Sequence, residues 1–378
     1  MIMRSFFNKV VIAVIFTAMA ASCGQTRKEG DTVIFKLDTR QQNVQPFSES
    51  DYSLLYEIIP LETTEEADIK IFFNYIEVFK NYVYVSTMNE SLRIFDADGN
   101  FINAIHKGER GGEVKSLRDF TINRNKERIE ILDANKIHKY TLTGEFIETI
   151  EVGNFIAAEF GIAGETRVFL LPLNSVSNHN FTVIFGNKHR VPMEQKYGQT
   201  TTPVLYPKHF HNYNNELYFT GYSNRVYKLG ANDSIPSIVA QFTNMYTNTN
   251  VKNLDMNQYE TLCAQHNFFT YLNNFYVYNS ELWGFSLYTG KLSTKFMYDS
   301  SADRIFYHPL NGIPYAQNNR WVQDGTEYYI FPPERFKDDI AQTIKDHDIE
   351  LYNLMSSQPV AKKDNLWLIK VNFTQNEK

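Results

Sequence analysis

Histidines and aspartates spaced two residues apart are the first residues in this sequence that could carry chemistry. His209 and His211 in "KHFHNY" share a face if the segment is a strand, and with a third ligand two such imidazoles could bind zinc. Asp96 and Asp98 in "LRIFDADGNFI" could open a calcium-binding loop. That loop needs a bidentate acid at its twelfth position, which is Lys107 here. The calcium interpretation is therefore disfavoured, and surface histidines beside a loop are the alternative to a zinc site.

Other catalytic signatures are missing from the sequence. There is no Gly-x-Ser-x-Gly elbow, no His-Glu-x-x-His motif and no sialidase-type Asp box. The segment "GERGG" (108–112) is rich in glycine, but no helix pattern follows it that could cradle a phosphate. We therefore predict no cofactor, no metal and no catalytic residue.

A comparison of two turns shows what the aspartates do. The segments "LRIFDADGNFI" (92–102) and "IHKYTLTGEFI" (137–147) share an aromatic residue, a glycine four residues later, and Phe-Ile. In the second copy Thr141 and Thr143 replace the aspartates, whereas Gly144 remains. A glycine that can adopt positive φ is what a tight β-hairpin turn requires. The recurring feature is a hairpin turn.

The same pattern recurs along the chain at intervals of 45, 45, 42 and 58 residues. The aromatic residues that mark it are Phe95, Tyr140, Phe185, Tyr227 and Phe285. A short alternating strand precedes each one, as in "NYVYVS" (81–86) and "RIEILD" (128–133). A period in the forties with about four strands per unit is typical of β-propeller blades. The sequence predicts an all-β, six-bladed propeller of four-stranded antiparallel blades.

Two segments should complete the ring. "EYYIFP" (327–332) and "NLWLIKVNF" (365–373) read as strands of the last blade, with an amphipathic helical insertion at 333–357 between them. "YEIIPLET" (56–63) could add a strand to that blade and fasten the circle. One propeller domain is therefore predicted over residues 33–378.

The N-terminus reads as an export signal. Two basic residues precede an apolar run that ends in "AASC", so residues 1–22 form a signal peptide. Cys23 then becomes a lipid-bearing first residue, or else a plain signal peptide is cut nearby and Cys23 is incidental. Residues 23–32 are predicted to be a flexible tether.

Charge and cysteine content limit the possible partners. Loss of Arg4 and Lys9 with the signal takes the formal charge from −6 to −8, which disfavours nucleic acid as a partner. If Cys23 carries lipid, Cys263 is the one remaining thiol, so no intrachain disulfide can form.

The chain resembles the six-bladed β-propeller lipoproteins of Bacteroidetes. The matching segments are "IIPLET" (58–63), "FDADGNFI" (95–102), "HKGERGGEVKSLRDFTI" (106–122), "ILD" (131–133) and "KKDNLWLIK" (362–370). Two motifs depart from the family. The usual Gly-Pro-Gly-Glu core lacks its proline here, since Gly111, Gly112 and Glu113 follow Arg110, and in the closing motif Leu366 replaces a usual proline. The resemblance implies an exported lipoprotein, often associated with glycan use, with no established catalytic residues.

A working face of a propeller lies at a mouth of its central channel, where loops of successive blades converge. The candidate ligand-binding residues there are Arg118, Asp119, His209, His211, Trp283, Arg320 and Trp321. Trp283 and Trp321 could stack on sugar rings, or they could pack between blades.

The leading hypothesis is a non-catalytic binding or scaffolding protein, tethered to the outer membrane through Cys23, with a glycan as ligand. One alternative is a propeller hydrolase or lyase with a metal at the channel mouth. Another is a subunit that binds an outer-membrane transport protein.

Overall fold

The fold is described from a computed structural model. It describes residues 26–41, 44–69, 73–87, 91–108, 113–171, 180–186, 189–195, 208–220, 224–230, 236–243, 254–289, 293–311, 320–358 and 366–376. Cys23 and most of "GERGG" lie outside these ranges. No helix in the described ranges is both long and apolar enough to cross a lipid bilayer.

Six small antiparallel sheets form the molecule, and we number them as blades 1 to 6 in chain order. The strands before blade 1 are β1 (Thr26–Glu29), β2 (Thr32–Phe35) and β3 (Tyr52–Pro60). Blade 1 contains β4 (Phe73–Phe79), β5 (Tyr82–Thr87), β6 (Ser91–Asp96) and β7 (Phe101–His106). Blade 2 contains β8 (Asp119–Asn123), β9 (Arg128–Asp133), β10 (Lys136–Thr141) and β11 (Phe146–Glu151). Blade 3 contains β12 (Glu159–Ala163), β13 (Thr166–Leu170), β14 (Asn180–Phe185) and β15 (His189–Gln195).

The second half of the ring repeats this plan. Blade 4 contains β16 (Phe210–Tyr213), β17 (Glu216–Thr220), β18 (Arg225–Leu229) and β19 (Ser237–Phe242). Blade 5 contains β20 (Tyr271–Val277), β21 (Leu282–Tyr288), β22 (Ser293–Asp299) and β23 (Arg304–Tyr307). Blade 6 contains β24 (Arg320–Gln323), β25 (Thr326–Phe331) and β26 (Trp367–Gln375), and β3 is its fourth strand.

The first strand of each blade lies innermost, and these inner strands follow one another around the ring. β4 contacts β8, β8 contacts β12, β12 contacts β16 and β16 contacts β20. The ring closes because β24 of blade 6 lies against β4 of blade 1. The predicted six-bladed propeller is confirmed.

Strand β3 fastens the ring as predicted. β3 pairs with β26 over nine residues, from Trp367 opposite Pro60 to Gln375 opposite Tyr52. The first and last parts of the chain thus share one sheet, so blade 6 cannot open without breaking this strand pair.

The segment before β3 also packs on the ring, which differs from the expected flexible tether up to residue 32. β2 pairs in parallel with β19, the outermost strand of blade 4, and β1 pairs with β2 through a turn at Gly30. Burial explains the attachment, because Val33, Ile34 and Phe35 are at most 7% exposed. The described residues from Thr26 onward therefore belong to the folded domain.

Three α-helices interrupt the strands of the described ranges. α1 (Met256–Gln265) lies between blades 4 and 5, while α2 (Asp338–His347) and α3 (Ile349–Ser357) follow a 3₁₀ turn at Pro333–Arg335 inside blade 6. The predicted insertion at 333–357 is confirmed as two helices. They meet at Asp348, whose carboxylate accepts a hydrogen bond from the Leu351 N–H at 2.9 Å.

The repeat assignment was wrong in its fifth unit. Phe95, Tyr140, Phe185 and Tyr227 lie on the third strands of blades 1 to 4, but Phe285 lies on β21, the second strand of blade 5. Tyr298 on β22 holds the equivalent place. The α1 insertion lengthens the spacing, and in the sequence Gly290 follows Phe285 much as Gly99 follows Phe95.

The aspartates of "FDADGNFI" form a hairpin turn, as predicted. The Asp96 carboxylate accepts hydrogen bonds from the backbone N–H groups of Asp98 and Asn100, at 2.9 and 2.8 Å. In blade 2 the Thr141 hydroxyl accepts from the Glu145 N–H at 3.0 Å. A hydroxyl replaces the carboxylate at the same point of the turn, so the turn needs an acceptor.

Candidate functional site

Acidic side chains on the inner strands hold successive blades together. The inner edge of each innermost strand has no neighbouring strand to accept from its N–H groups, so other acceptors must satisfy them. Glu77 of blade 1 accepts from the Ile122 N–H of blade 2 at 2.9 Å. Asp119 of blade 2 accepts from the Phe160 N–H of blade 3 at 2.8 Å. The carboxylates therefore act as acceptors between blades.

Glu159 of blade 3 continues this series. It accepts from the backbone N–H groups of His209 and Phe210, at 2.6 and 2.9 Å, where blade 4 begins. Three consecutive blade junctions are therefore bridged by a carboxylate from the inner strand of the preceding blade. We call Glu77, Asp119, Glu159 and Lys208 the channel-wall cluster.

Lys208 supplies the positive charge of the channel-wall cluster. Its ammonium Nζ lies 3.2 Å from Glu77 Oε1 and 3.4 Å from Asp119 Oδ1. It also donates to the Phe120 carbonyl oxygen at 2.5 Å. Lys208 is 9% exposed, and a cation so buried needs close anionic partners. Burial by itself would lower the pKa of Lys208, but the attraction of Asp119, Glu77 and Glu159 outweighs burial and raises it.

The pKa of Asp119 in the channel-wall cluster is raised. Burial raises its pKa to about 7, the positive charge of Lys208 opposes this, and the negative charge of Glu159 adds to it. Both Asp119 oxygens have backbone N–H donors, from Phe120 and Phe160, each at 2.8 Å. This carboxyl therefore links the strands of two blades.

His209 and Glu159 have the arrangement of an acid–base couple. His209 Nδ1 lies 2.9 Å from Glu159 Oε2, and the imidazole stacks on Phe219. A carboxylate at Nδ1 fixes the tautomer that carries its proton there. The same carboxylate also accepts from two backbone N–H groups, so the pair holds blade 4 against blade 3.

A small recess lies between the inner strands of blades 4, 5 and 6. It is lined by His211, Asn212, Tyr213, Tyr218, Tyr276, Val277, Trp321 and Val322. The rings of His211 and Tyr276 are 4.7 Å apart in an edge-to-face arrangement. The cavity volume is about 10 Å³, which is room for about one water molecule. The buried Asn212 side-chain oxygen has no hydrogen-bond partner in the described structure.

The structure divides the predicted site residues among several places. Asp119 and His209 lie in or beside the channel-wall cluster, and His211 and Trp321 line the recess. Arg118 is exposed just before β8. Asp119 and Arg118 are adjacent in sequence but differ completely in burial, so they do not form one binding element.

The remaining two predicted residues lie elsewhere. Trp283 is on β21, the second strand of blade 5, where it packs edge-to-face on Phe275 and Tyr298 at 5.6 and 5.7 Å. The backbone of Arg320 begins β24, and its side chain lies outside the described structure.

His209 and His211 have different neighbours. One imidazole faces Glu159 and the other faces Tyr276. In the described ranges, no three histidine, cysteine or acidic side chains are grouped so that they could hold a metal ion.

Sequence reasoning missed Glu77, Glu159 and Lys208. A signal was available, since each is a charged residue in or beside a short, otherwise apolar segment, as in "YIEVF" and "EFGIA". A charge in a buried strand must meet a partner. The identity of that partner depends on contacts between blades, and spacing along the chain does not reveal it.

Comparisons with known proteins agree with this architecture. The model of a family described as a domain of unknown function (DUF4934) matches residues 32–372. A solved structure from Bacteroides fragilis NCTC 9343, named "Putative exported protein", is similar with a TM-score of 0.67 and 18% sequence identity. That match covers 90% of this chain and 99% of the other, and at this identity it supports the fold alone.

A second solved structure is more distant. The Pan2 WD40 domain of Neurospora crassa has a TM-score of 0.39 and 9% identity, covering 68% of this chain and 75% of that domain, and we draw no conclusion from it. No curated protein matches the sequence. Because the family model spans most of the chain, the protein belongs to the DUF4934 family.

Proposed function

We propose that this chain is an exported, lipid-anchored β-propeller that acts as a non-catalytic binding or scaffolding protein of the cell envelope. The observation that carries the proposal is the use of the channel-wall cluster. Glu77, Asp119 and Glu159 all accept from backbone N–H groups of the next blade, and Lys208 forms ion pairs with Glu77 and Asp119. Catalytic acids and bases must instead reach a substrate.

Export and anchoring have separate support. The apolar run that ends at Cys23 has the form of a lipoprotein signal. The similar protein of Bacteroides fragilis bears a name that includes export. The envelope is therefore the compartment in which we place this protein, with the outer membrane as the anchoring bilayer.

Fatty-acid labelling tests the anchor. Cells grown with an alkyne-labelled fatty acid should yield labelled protein in the outer-membrane fraction, and Cys23→Ser should lose both the label and that location. Cys263→Ser is the matched control, because that thiol is buried in the propeller and should leave labelling unchanged. Labelling that survives Cys23→Ser would contradict the anchor.

A neutral glycan is the ligand class that the recess favours. The buried Asn212 side-chain oxygen would accept a hydrogen bond from a sugar hydroxyl. Because the cavity holds about one water, the glycan would touch the recess through one hydroxyl or hydroxymethyl group and otherwise lie on the surrounding loops.

Binding measurements distinguish the candidate functions. A glycan array followed by calorimetry should find an oligosaccharide whose affinity falls in Asn212→Leu but not in Asn125→Leu, an exposed asparagine of blade 2. Absence of any glycan binding would contradict the glycan ligand. Hydrolysis or elimination of the captured glycan would favour a propeller enzyme. Co-purification of an outer-membrane protein instead would favour a subunit role.

A further inference from the structure

The N-terminal hairpin fixes the point at which the lipid anchor joins the propeller. In sequence, Gly24 and Gln25 alone separate Cys23 from Thr26, the first residue of β1. Three residue steps span at most about 11 Å, whatever conformation they adopt. A lipid on Cys23 would therefore lie within that distance of β1.

β2, the strand that β1 pairs with, is held tightly to the rim of the ring. The Thr32 hydroxyl donates to the Ile238 carbonyl at 2.7 Å, and the Thr243 N–H donates to the Phe35 carbonyl at 2.9 Å. Phe35 is fully buried and stacks on Phe242 with ring centroids 4.8 Å apart. The hairpin is therefore part of the folded body.

The start of β1 also contacts the neighbouring blade. The Thr26 hydroxyl donates to Asp303, in the turn between β22 and β23 of blade 5. Tyr298 of the same blade donates to Asp303 at 2.9 Å and packs edge-to-face on Phe35 with ring centroids 5.0 Å apart. The anchoring point thus lies at the outer rim where blades 4 and 5 meet.

We propose that this rim, formed by β1, β2 and the β22–β23 turn, is the surface that rests on the phospholipid bilayer. The inference depends on the proposed lipid at Cys23. A propeller on a long tether can turn freely, but a tether of at most about 11 Å is short compared with a body roughly 50 Å across. The rim of blades 1 and 2, on the other side of the ring, is then the part farthest from the membrane.

Fluorescence quenching at two engineered cysteines tests this orientation. The exposed residues Ala302, in the β22–β23 turn, and Glu145, in the β10–β11 turn of blade 2, are each replaced by cysteine and labelled with a maleimide dye. Cys263 does not compete for the dye, because it is 1% exposed and burial raises the pKa of its thiol to about 11. The lipidated protein is reconstituted in phosphatidylethanolamine–phosphatidylglycerol vesicles that carry a nitroxide on the lipid headgroup.

The dye at Ala302→Cys should lose most of its fluorescence, while the dye at Glu145→Cys should keep it. Insertion of twenty glycine and serine residues between Gln25 and Thr26 adds a coil of roughly 25 Å, which should abolish the difference without loss of vesicle binding. Equal quenching at the two sites in vesicle-bound protein would contradict the proposed orientation but not the lipid anchor. A difference in quenching between the two sites that persists after the linker is inserted would contradict the orientation in the same way. Failure to float with vesicles would overturn the lipid anchor, and the orientation with it.

Discussion

Lys208 and the carboxylates around it illustrate how single residues hold this ring together. Each acid accepts from an N–H group of a neighbouring blade, and one ammonium group pairs with both Glu77 and Asp119. Removal of one partner from a buried ion pair leaves an uncompensated charge, which costs about 3–5 kcal/mol. The charge balance of the channel-wall cluster should therefore be visible in the stability of the whole protein.

Lys208→Met should lower the free energy of unfolding by about 3–5 kcal/mol at pH 8. Without the cation, the pKa of Asp119 should rise above its already raised value, because the charge and hydrogen bond of Lys208 lower it. A carboxyl whose folded pKa is raised binds more protons in the folded state, so folding loses stability as the pH rises through that range. The deficit should therefore be smaller at pH 5 than at pH 8, as measured by urea unfolding.

The wild type and the surface variant Lys370→Met are the controls for this pH dependence of stability. Because the folded pKa of Lys208 is raised, its contribution is complete below the ordinary value of 10.5 and is lost as the pH rises through the folded pKa. Lys370→Met breaks the partly exposed pair with Glu57 and should cost at most about 1 kcal/mol at either pH. A Lys208→Met deficit that is equally large at both pH values would argue against this account of the channel-wall cluster.

Cys263 allows a second test at the residue scale. Burial raises the pKa of its thiol to about 11, so little thiolate forms near neutral pH. With Cys23 lipidated or replaced by serine, Ellman's reagent should react slowly with the folded protein in buffer. In concentrated urea it should react at once with one equivalent of thiol. Rapid reaction of the folded protein would show that α1 opens locally.

At the scale of elements, the turn at Gly99 links blade 1 to the closing strand β3. Gly99 has φ +87°, and a Cβ at this position would lie 2.3 Å from the Pro60 carbonyl oxygen. The Glu62 N–H donates to the Gly99 carbonyl at 2.8 Å across the same contact. This glycine therefore meets two demands, a left-handed backbone and a close approach between blades.

Gly99→Ala should be clearly more destabilising than Gly30→Ala. Both residues have positive φ, so both replacements carry about 1–2 kcal/mol of backbone strain. At Gly30 a Cβ meets nothing within 4 Å, whereas at Gly99 it meets backbone that cannot swing aside. Thermal unfolding of the two variants gives the difference, and equal losses would mean that the contact with Pro60 relaxes easily.

The strands and turns could be predicted where the same sequence pattern recurs from blade to blade, and less well where the pattern is interrupted. Gly99 and Gly144 mark equivalent turns because the same hairpin needs positive φ twice. The fifth unit failed at Phe285, since the strand there has the right composition but the wrong order within its blade. α1 was missed because its cap, Asp255 with Gln258, lies in a polar stretch without a strong apolar period.

The candidate site was harder to predict for a physical reason. His209 stood out from its type and spacing, but its partner Glu159 lies 50 residues away and is brought near by the packing of two blades. Glu130 shows the same limit: it is fully buried and pairs with Arg167 of the next blade. Contacts between blades determine the role of each charge, and these contacts have no fixed spacing in the sequence.

At the scale of the whole molecule, the segment from β2 to β3 (32–60) contacts three successive blades, and we call it the belt. β2 joins blade 4, Gln45 forms a parallel bridge to Phe306 of blade 5, and β3 completes blade 6. A ring that is closed by one strand pair can open when that pair breaks. Here the segment that supplies the closing strand β3 also pairs with strands of blades 4 and 5, so the closing pair is linked to two more blades. The propeller should therefore unfold as one cooperative unit despite its length.

Phe35→Ala tests that coupling at the far end of the belt. Removal of this fully buried ring should lower stability by about 3–5 kcal/mol. The three tryptophans report from blades 5 and 6, so the tryptophan transition should shift together with the far-UV circular dichroism transition of all six blades. Leu55→Ala, at a side chain 60% exposed on β3, should change stability by less than about 0.5 kcal/mol. If the two signals separate in Phe35→Ala, blade 4 unfolds independently and the belt does not couple the ring.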